Sequence, residues 1–277
     1  MTQKSFIQFM AVKMLLVSSA YALDLENSPE AEIRKNQPLA VTTSASISSN
    51  LYKNSSSDYS LNSDIAIDPS LTLENGTTLI GHISLYKDLR GERKEQLNDA
   101  YLGGIKTIYR QGPTSISFLG LGFLPLSELS YKDQKLQTAI MLAPTFNLSL
   151  EELVIPGLRV SLRPSFRQNF HKFKTSLSGN SNFERTLSTS LTLTYYATEA
   201  VLLTSRNTYS RSYTYNGNET DSYRFEQSFT YLFTARASVT IGHLNGGNPL
   251  AANGIDTEIQ FLNRRSSTVY TSVSYTF

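Results

Sequence analysis

The chain ends in nine residues that decide the fold, Val269-Tyr270-Thr271-Ser272-Val273-Ser274-Tyr275-Thr276-Phe277. Successive side chains of a β-strand point to opposite faces. One face carries Val269, Val273, Tyr275 and Phe277, and the other carries Tyr270, Ser272, Ser274 and Thr276. A strand with lipid on one side and a water-filled lumen on the other has this pattern. An edge strand of a soluble β-sandwich alternates in the same way, so these residues alone leave both folds open.

The same stretch resembles the C-terminal insertion signal of bacterial outer-membrane proteins. Phe277 is the terminal aromatic residue, and Tyr275 stands two places before it. Ser272 occupies a position where that signal usually has glycine, so the match is imperfect. The resemblance implies a barrel that lies in outer-membrane lipid and is recognised by the barrel-assembly machinery through its last strand.

The first 22 residues predict a secretory signal peptide. Lys4 precedes an apolar run from Phe9 to Val17, which Lys13 interrupts, and Ala20-Tyr21-Ala22 supplies a cleavage site. The uninterrupted apolar part is shorter than the roughly 20 residues that a transmembrane helix needs, and no later segment comes near that length. We therefore expect a signal peptide at 1–22, a periplasmic lead-in at 23–38 and a transmembrane β-barrel at 39–277, in the bacterial outer membrane.

The composition of the chain argues against several kinds of partner and site. Without residues 1–22 the chain has 23 basic and 23 acidic residues, so no bulk positive charge favours nucleic acid. It has no cysteine, which excludes disulfides and thiolate metal sites. His82, His171 and His243 lie far apart and match no zinc spacing. We expect no metal, no cofactor and no nucleic-acid partner.

Alternating segments from residue 39 onward predict twelve strands, although ten or fourteen remain possible. Tyr101, Ile105 and Tyr109 mark the apolar face of the fourth, and Asn75-Gly76 indicates a two-residue hairpin turn after the second. The predicted strands are centred on 39–51, 65–73, 79–85, 101–109, 114–124, 140–148, 158–166, 187–195, 201–211, 223–233, 237–241 and 269–277.

Short and long connections alternate between these strands. The short ones are 74–77, 111–113, 151–157, 197–200 and 234–236, and the long ones are 52–60, 87–99, 125–135, 172–185, 212–221 and 245–254. Outer-membrane barrels have short periplasmic turns and long extracellular loops. The sequence therefore predicts an all-β, antiparallel, up-and-down barrel with both termini in the periplasm.

Proline occurs in the middle of three predicted strands, at Pro69, Pro144 and Pro164. Each removes a backbone donor from the sheet. If the hairpin between the sixth and seventh strands is centred near Val154, Pro144 and Pro164 stand opposite each other. They then mark a bend or bulge, or they are simply tolerated on a lipid-facing wall.

Some outer-membrane barrels are lipid hydrolases, and their sequence signature places a serine two residues after a histidine. The sequence reads His243-Leu244-Asn245, so no hydroxyl stands where the nucleophile is needed. We expect no enzymatic activity.

Charged residues within the strands identify candidate pore-lining positions. Arg159, Arg163 and Arg167 share one face of the seventh strand, spaced about 13 Å apart at 3.3 Å per residue. An arginine facing lipid costs roughly 2–4 kcal/mol at the bilayer midplane, so these side chains should face the lumen. Asp64 and Asp68 share the polar face of the second strand, nearly opposite in a circle of twelve. Three roles are open for these charged side chains. They line a path for solutes, they solvate a water-filled lumen, or the arginines and aspartates pair with one another and plug it.

Two functions fit this pattern. The first is a porin-like diffusion channel for small polar or anionic solutes. The second is a non-conducting barrel with a plugged lumen, whose extracellular loops bind a partner or a surface. The width of the barrel does not distinguish these two functions. Side chains fill a barrel of eight strands, a barrel of sixteen leaves a channel, and twelve strands lie between these cases.

Overall fold

The computed structural model describes residues 38–53, 55–91, 93–150, 155–250, 259–264 and 266–277. The predicted signal peptide and all of the lead-in except Pro38 lie outside the described residues. No helix in the described part of the chain is long and apolar enough to cross a membrane.

Strands make up almost all of the regular structure in the described residues. Within those residues, one π-helical turn, Leu129–Asp133, lies in a loop. The strands are β1 (Leu39–Asn50), β2 (Leu61–Thr72), β3 (Thr77–Asp88), β4 (Glu95–Leu97), β5 (Ala100–Gln111), β6 (Thr114–Leu124), β7 (Leu136–Ser149), β8 (Leu158–His171), β9 (Phe183–Thr198), β10 (Val201–Thr214), β11 (Glu219–Leu232), β12 (Ala237–Gly247) and β13 (Thr268–Thr276).

The sheet closes on itself. Neighbouring strands pair antiparallel around the sheet, and β13 pairs with β1 from Thr42↔Thr276 to Asn50↔Thr268. The two threonine hydroxyls at this seam lie 3.0 Å apart, and the Phe277 amide donates to the carbonyl oxygen of Val41 at 3.0 Å. The short β4 pairs only with β3. The described ranges therefore form a closed barrel of twelve strands with one additional short strand, which confirms the predicted class and the predicted strands.

The outside of the wall is apolar on every strand of the circle. The following side chains, one from each strand, are exposed on the outer surface: Ile47, Ile65, Ile83, Leu102, Phe118, Leu142, Phe166, Leu191, Leu203, Phe229, Ile241 and Val273. A continuous apolar belt of this kind is unfavourable in water, at about 25 cal/mol per Å². Bilayer lipid is its matching solvent, and the barrel is accordingly one that spans a membrane.

The predicted turn at Asn75-Gly76 is present, but its geometry differs from the prediction. Gly76 has a φ of 75°, whereas Asn75 does not adopt a positive φ. The Gly76 amide donates to the Leu73 carbonyl at 2.9 Å, and the Leu73 amide donates to Thr77 at 2.8 Å. The connection is thus a longer turn with glycine at its left-handed position, and the two-residue hairpin was wrong.

Connections at the two ends of the barrel differ in length as predicted, with one exception. The turns at the periplasmic end are 73–76, 112–113, 150–157, 199–200 and 233–236, and the extracellular loops are 51–60, 89–99, 125–135, 172–182, 215–218 and 248–267. The loop 215–218 is much shorter than the predicted 212–221, because β10 and β11 continue pairing to Tyr213↔Glu219.

Pro144 and Pro164 stand opposite each other, as the sequence predicts. The pairs Leu142↔Phe166 and Phe146↔Leu162 lie on either side of the prolines and share the same register. No residues of β7 and β8 are paired between these two positions. Proline lacks the N–H that would complete these pairs. Since the register does not shift across the gap, the prolines interrupt the ladder without making a bulge.

Candidate pore lining

The three arginines of β8 face the lumen. Their neighbours Leu162 and Phe166 are exposed on the outer wall, and alternation turns Arg159, Arg163 and Arg167 inward. The Arg163 Nε donates to the Thr145 hydroxyl at 2.9 Å, and the Arg167 Nε donates to the Asn169 side-chain oxygen at 2.9 Å. Arg159 lies 4.6 Å from the ring centre of Tyr196 and donates to its hydroxyl at 3.3 Å. The ladder therefore follows the wall from the periplasmic end to the extracellular end.

Asp64 and Asp68 also point inward from β2, and each contacts a neighbouring element. The Asp68 Oδ1 lies 2.6 Å from the Nδ1 of His82 on β3. Asp64 accepts a hydrogen bond of 3.1 Å from the side chain of Asn98, in the β3–β5 loop. These two aspartates form an acidic wall, and side chains from neighbouring elements fix the position of each carboxylate.

A row of stacked side chains connects the acidic wall with the arginine ladder. The His82 ring stacks on Tyr101 at 5.0 Å, and Tyr101 contacts Phe123 at 5.7 Å. The guanidinium of Arg167 lies 4.2 Å from the centre of the Phe123 ring. The row runs along the inner wall from Asp68 to Arg167, so Arg167 rests on an aromatic surface.

The inner wall between β3 and β7 is apolar, which corrects the sequence prediction. Tyr101 and Ile105, expected to face lipid, point inward and are buried, while Leu102 is exposed outside. Leu119 is 0% exposed although it faces the lumen, so other inward side chains cover it. The cluster comprises Ile80, Tyr101, Ile105, Leu119, Leu121, Phe123, Ala139, Met141 and Ala143. Side chains thus fill this side of the lumen at that depth.

A second charged cluster lies on β10 and β11, and the sequence interpretation missed it. The Glu226 carboxylate lies 3.6 Å from Arg206 and 3.2 Å from Arg224. The Tyr270 hydroxyl donates to it at 2.9 Å, reaching across β12 at Gly242. A Cβ at Gly242 would overlap the Tyr270 ring, so the glycine makes this reach possible.

These groups make one side of the lumen basic. In the described residues of β8–β11, the inward charged side chains are Arg159, Arg163, Arg167, Arg206, Arg224, Glu184 and Glu226. Hydroxyls lie between them in register: Arg163 pairs with Ser190, Ser190 with Thr208, and Thr208 with Arg224. Five arginines against two glutamates leave a positive inner wall, rich in hydrogen-bonding groups.

Ion pairs join two loops at the extracellular mouth. The Glu128 carboxylate contacts the ammonium groups of Lys94 and Lys132, the latter at 2.9 Å. The bonds from Lys94 and then Lys132 lower the pKa of Glu128 to about 2. The carboxylate therefore stays ionised, and the β3–β5 and β6–β7 loops stay joined, at neutral pH.

The side chain of His243 points outward from the barrel wall. Its Nδ1 lies 3.4 Å from the Gln227 side-chain oxygen, and its Nε2 has no hydrogen-bond partner in the part of the chain that the structure describes. Neither ring nitrogen is hydrogen-bonded to a serine in that part of the chain. In the same described ranges, no group of three or more His, Asp or Glu side chains is placed to hold a metal ion.

Tyr275 and Phe277 lie on the outer wall at the periplasmic end. Their rings meet edge to face at 4.8 Å, and both are exposed toward lipid. β13 pairs with both β12 and β1, so the strand that carries Tyr275 and ends just before Phe277 also closes the barrel.

No family model matches the sequence, and no curated protein matches it. Solved structures do match the fold. An outer-membrane channel from Pseudomonas putida F1 has a TM-score of 0.58 at 13% identity, covering 86% of this chain and 95% of its own. The NanC porin has a TM-score of 0.55 at 11% identity, covering 85% and 98%. The KdgM porin has a TM-score of 0.51 at 8% identity, covering 85% and 99%. At these identities the likeness shows a shared porin-like barrel fold.

Proposed function

We propose that this barrel is a passive diffusion channel for small anionic solutes. The observation that carries the proposal is the positive wall of β8–β11, with five inward arginines against two glutamates. Fixed charge of one sign along a low-dielectric pore raises the local concentration of the opposite ion. A net positive wall therefore favours anions.

The chemistry of the wall suits carboxylates. Guanidinium groups present a planar fork of donors that matches a carboxylate, and the surrounding hydroxyls can bond the polar groups of a sugar. Ser190 and Thr208 lie in the same cross-strand row as Arg163 and Arg224. A small acidic solute would thus exchange its hydration shell for arginine and hydroxyl contacts as it moves along the ladder.

The comparisons support the same solute class. The KdgM porin has also been solved in complex with disordered oligogalacturonate, at a TM-score of 0.50 and 9% identity to this chain. Galacturonate is a carboxylated sugar. We extend to this chain the class of small anionic solutes, and we propose no catalytic role for it.

The alternative is a plugged barrel whose extracellular loops bind a partner or a surface. The packed apolar cluster of β3–β7 favours it, because Leu119 is fully buried on the inner wall. The channel proposal requires that the basic side of the lumen stays open beside this cluster.

Conductance of the purified protein in a planar bilayer separates these functions. We expect discrete single-channel steps that persist at low voltage, because the basic wall lies along the full length of β8. A folded protein that inserts without steps would support the plugged barrel. Gel migration that changes on heating confirms that the inserted sample is folded.

We further propose that Tyr275 and Phe277 form the signal through which the assembly machinery recognises the chain. Phe277→Ser should slow insertion into the outer membrane, because it removes the terminal aromatic side chain. Phe233→Ser is the matched control, since Phe233 and Phe277 are both 61% exposed and lie at the same end of the barrel. Equal assembly rates in a pulse-labelling experiment would contradict the assignment.

A further inference from the structure

The outer wall of β11 and β12 carries polar residues where lipid-facing side chains are expected. Pairing places Phe225 opposite Asn245 and Gln227 opposite His243, all on the outward face. Asn245 is nevertheless 0% exposed. Something other than lipid therefore covers this part of the wall.

The cover is the end of the β12–β13 loop. The Asn245 side-chain amide donates to the Gln260 carbonyl, and the Ser266 hydroxyl donates to the Asn245 oxygen at 2.5 Å. The Gln260 amide donates to the Tyr223 hydroxyl at 3.2 Å. Residues 259–264 thus lie against the outside of the barrel, and their bonds satisfy polar groups that lipid could not.

Phe261 lies at the depth of the apolar belt. Its ring centre is 6.3 Å from Phe225 and 5.9 Å from His243. His243 stands two residues from Ile241 on the same face of β12, and Ile241 is exposed in the apolar belt. The loop therefore reaches the surface that the wall presents to lipid.

The outer surface of this segment is amphipathic. Ile259, Phe261 and Leu262 are exposed, the last at 64%, and the exposed Arg264 follows them. Exposed apolar residues beside a cation are typical of segments that lie in the interface of an anionic membrane. The bilayer that surrounds the wall is continuous with this surface, which identifies the occupant.

We propose that residues 259–264 anchor the loop in the outer leaflet, with Ile259, Phe261 and Leu262 among the acyl chains and Arg264 at an anionic headgroup. The segment is a lipid-binding surface that extends the barrel wall. It does not depend on whether the lumen conducts.

The chain contains no tryptophan, so a single introduced indole reports on its own surroundings. Phe261→Trp and Leu262→Trp are refolded into phosphatidylglycerol vesicles, with or without brominated acyl chains, and folding is verified by heat-modifiable gel migration. We expect blue-shifted emission that brominated chains strongly quench in both variants. Arg264→Gln, added to Phe261→Trp, should weaken the quenching more in phosphatidylglycerol than in phosphatidylcholine.

Leu177→Trp is the matched control. Leu177 is 68% exposed, and its amide donates to Asp133 of the adjacent loop. Its emission should remain water-like and unquenched. Water-like emission from both loop variants would overturn the proposal. A blue shift that brominated lipid does not quench, but that increases with protein density in the vesicle, would instead assign the surface to a second copy of the chain.

Discussion

Replacing Arg159, Arg163 and Arg167 together with glutamine should shift the ion selectivity of the proposed channel toward cations. The three side chains supply most of the positive charge on the inner wall, and glutamine keeps hydrogen-bonding capacity without that charge. For a tenfold salt gradient, the limit for a perfectly selective pore is about 59 mV. We expect the reversal potential to move by tens of millivolts, on the order of half that limit.

The matched control replaces two arginines that lie outside the lumen. Arg185 and Arg211 occupy outward positions on β9 and β10, where Arg211 pairs with Asp221 at 2.7 Å. Their replacement by glutamine should leave the reversal potential unchanged. A β8 triple variant that forms channels with the selectivity of the unmodified protein would show that these arginines do not line the conducting path.

Gly103→Ala should prevent normal closure of the barrel. A Cβ at this position would lie 2.9 Å from the Leu121 Cα and closer still to the Gly120 carbonyl oxygen. These are backbone atoms of the paired strand β6, so relief requires breaking the ladder. Overpacking with side-chain neighbours costs about 1–3 kcal/mol, and we expect a loss at or above the upper end here. Refolding yield and the urea midpoint of unfolding measure it.

Gly120→Ala is the control for this variant, because it adds the same atom to the facing strand. Its Cβ would meet only the Leu142 Cδ2, at an ordinary 3.7 Å. The variant should fold with nearly unmodified stability. Equal stability of the Gly103 and Gly120 variants would show that the close approach of β5 and β6 does not exist in the folded protein.

Strand periodicity was sufficient to predict the fold. Alternation at residues 269–277 separated the lipid and lumen faces of β13, and a hairpin centre near Val154 correctly placed Pro144 opposite Pro164. Periodicity shows that two faces differ, without showing which one meets lipid when both contain apolar residues. Tyr101 and Ile105 were therefore assigned to the wrong side of the wall.

The candidate site was predictable only where charge lies within one strand. Arg159, Arg163 and Arg167 repeat every four residues, so their common face follows from the sequence. The Glu226 cluster depends on register across three strands and on the space that Gly242 leaves for Tyr270. No local pattern encodes such a contact, and the weak alternation of residues 201–211 concealed the orientation of Arg206.

Solute uptake by proteoliposomes tests the central claim most directly. Vesicles containing the unmodified, folded protein are placed in isotonic solutions of a neutral hexose or of a hexuronate of nearly equal size, and swelling rates are compared with those of protein-free vesicles. We expect both solutes to enter and the hexuronate to enter faster, because the β8–β11 wall carries net positive charge. Absence of protein-dependent swelling, or faster entry of the neutral sugar, would contradict this claim.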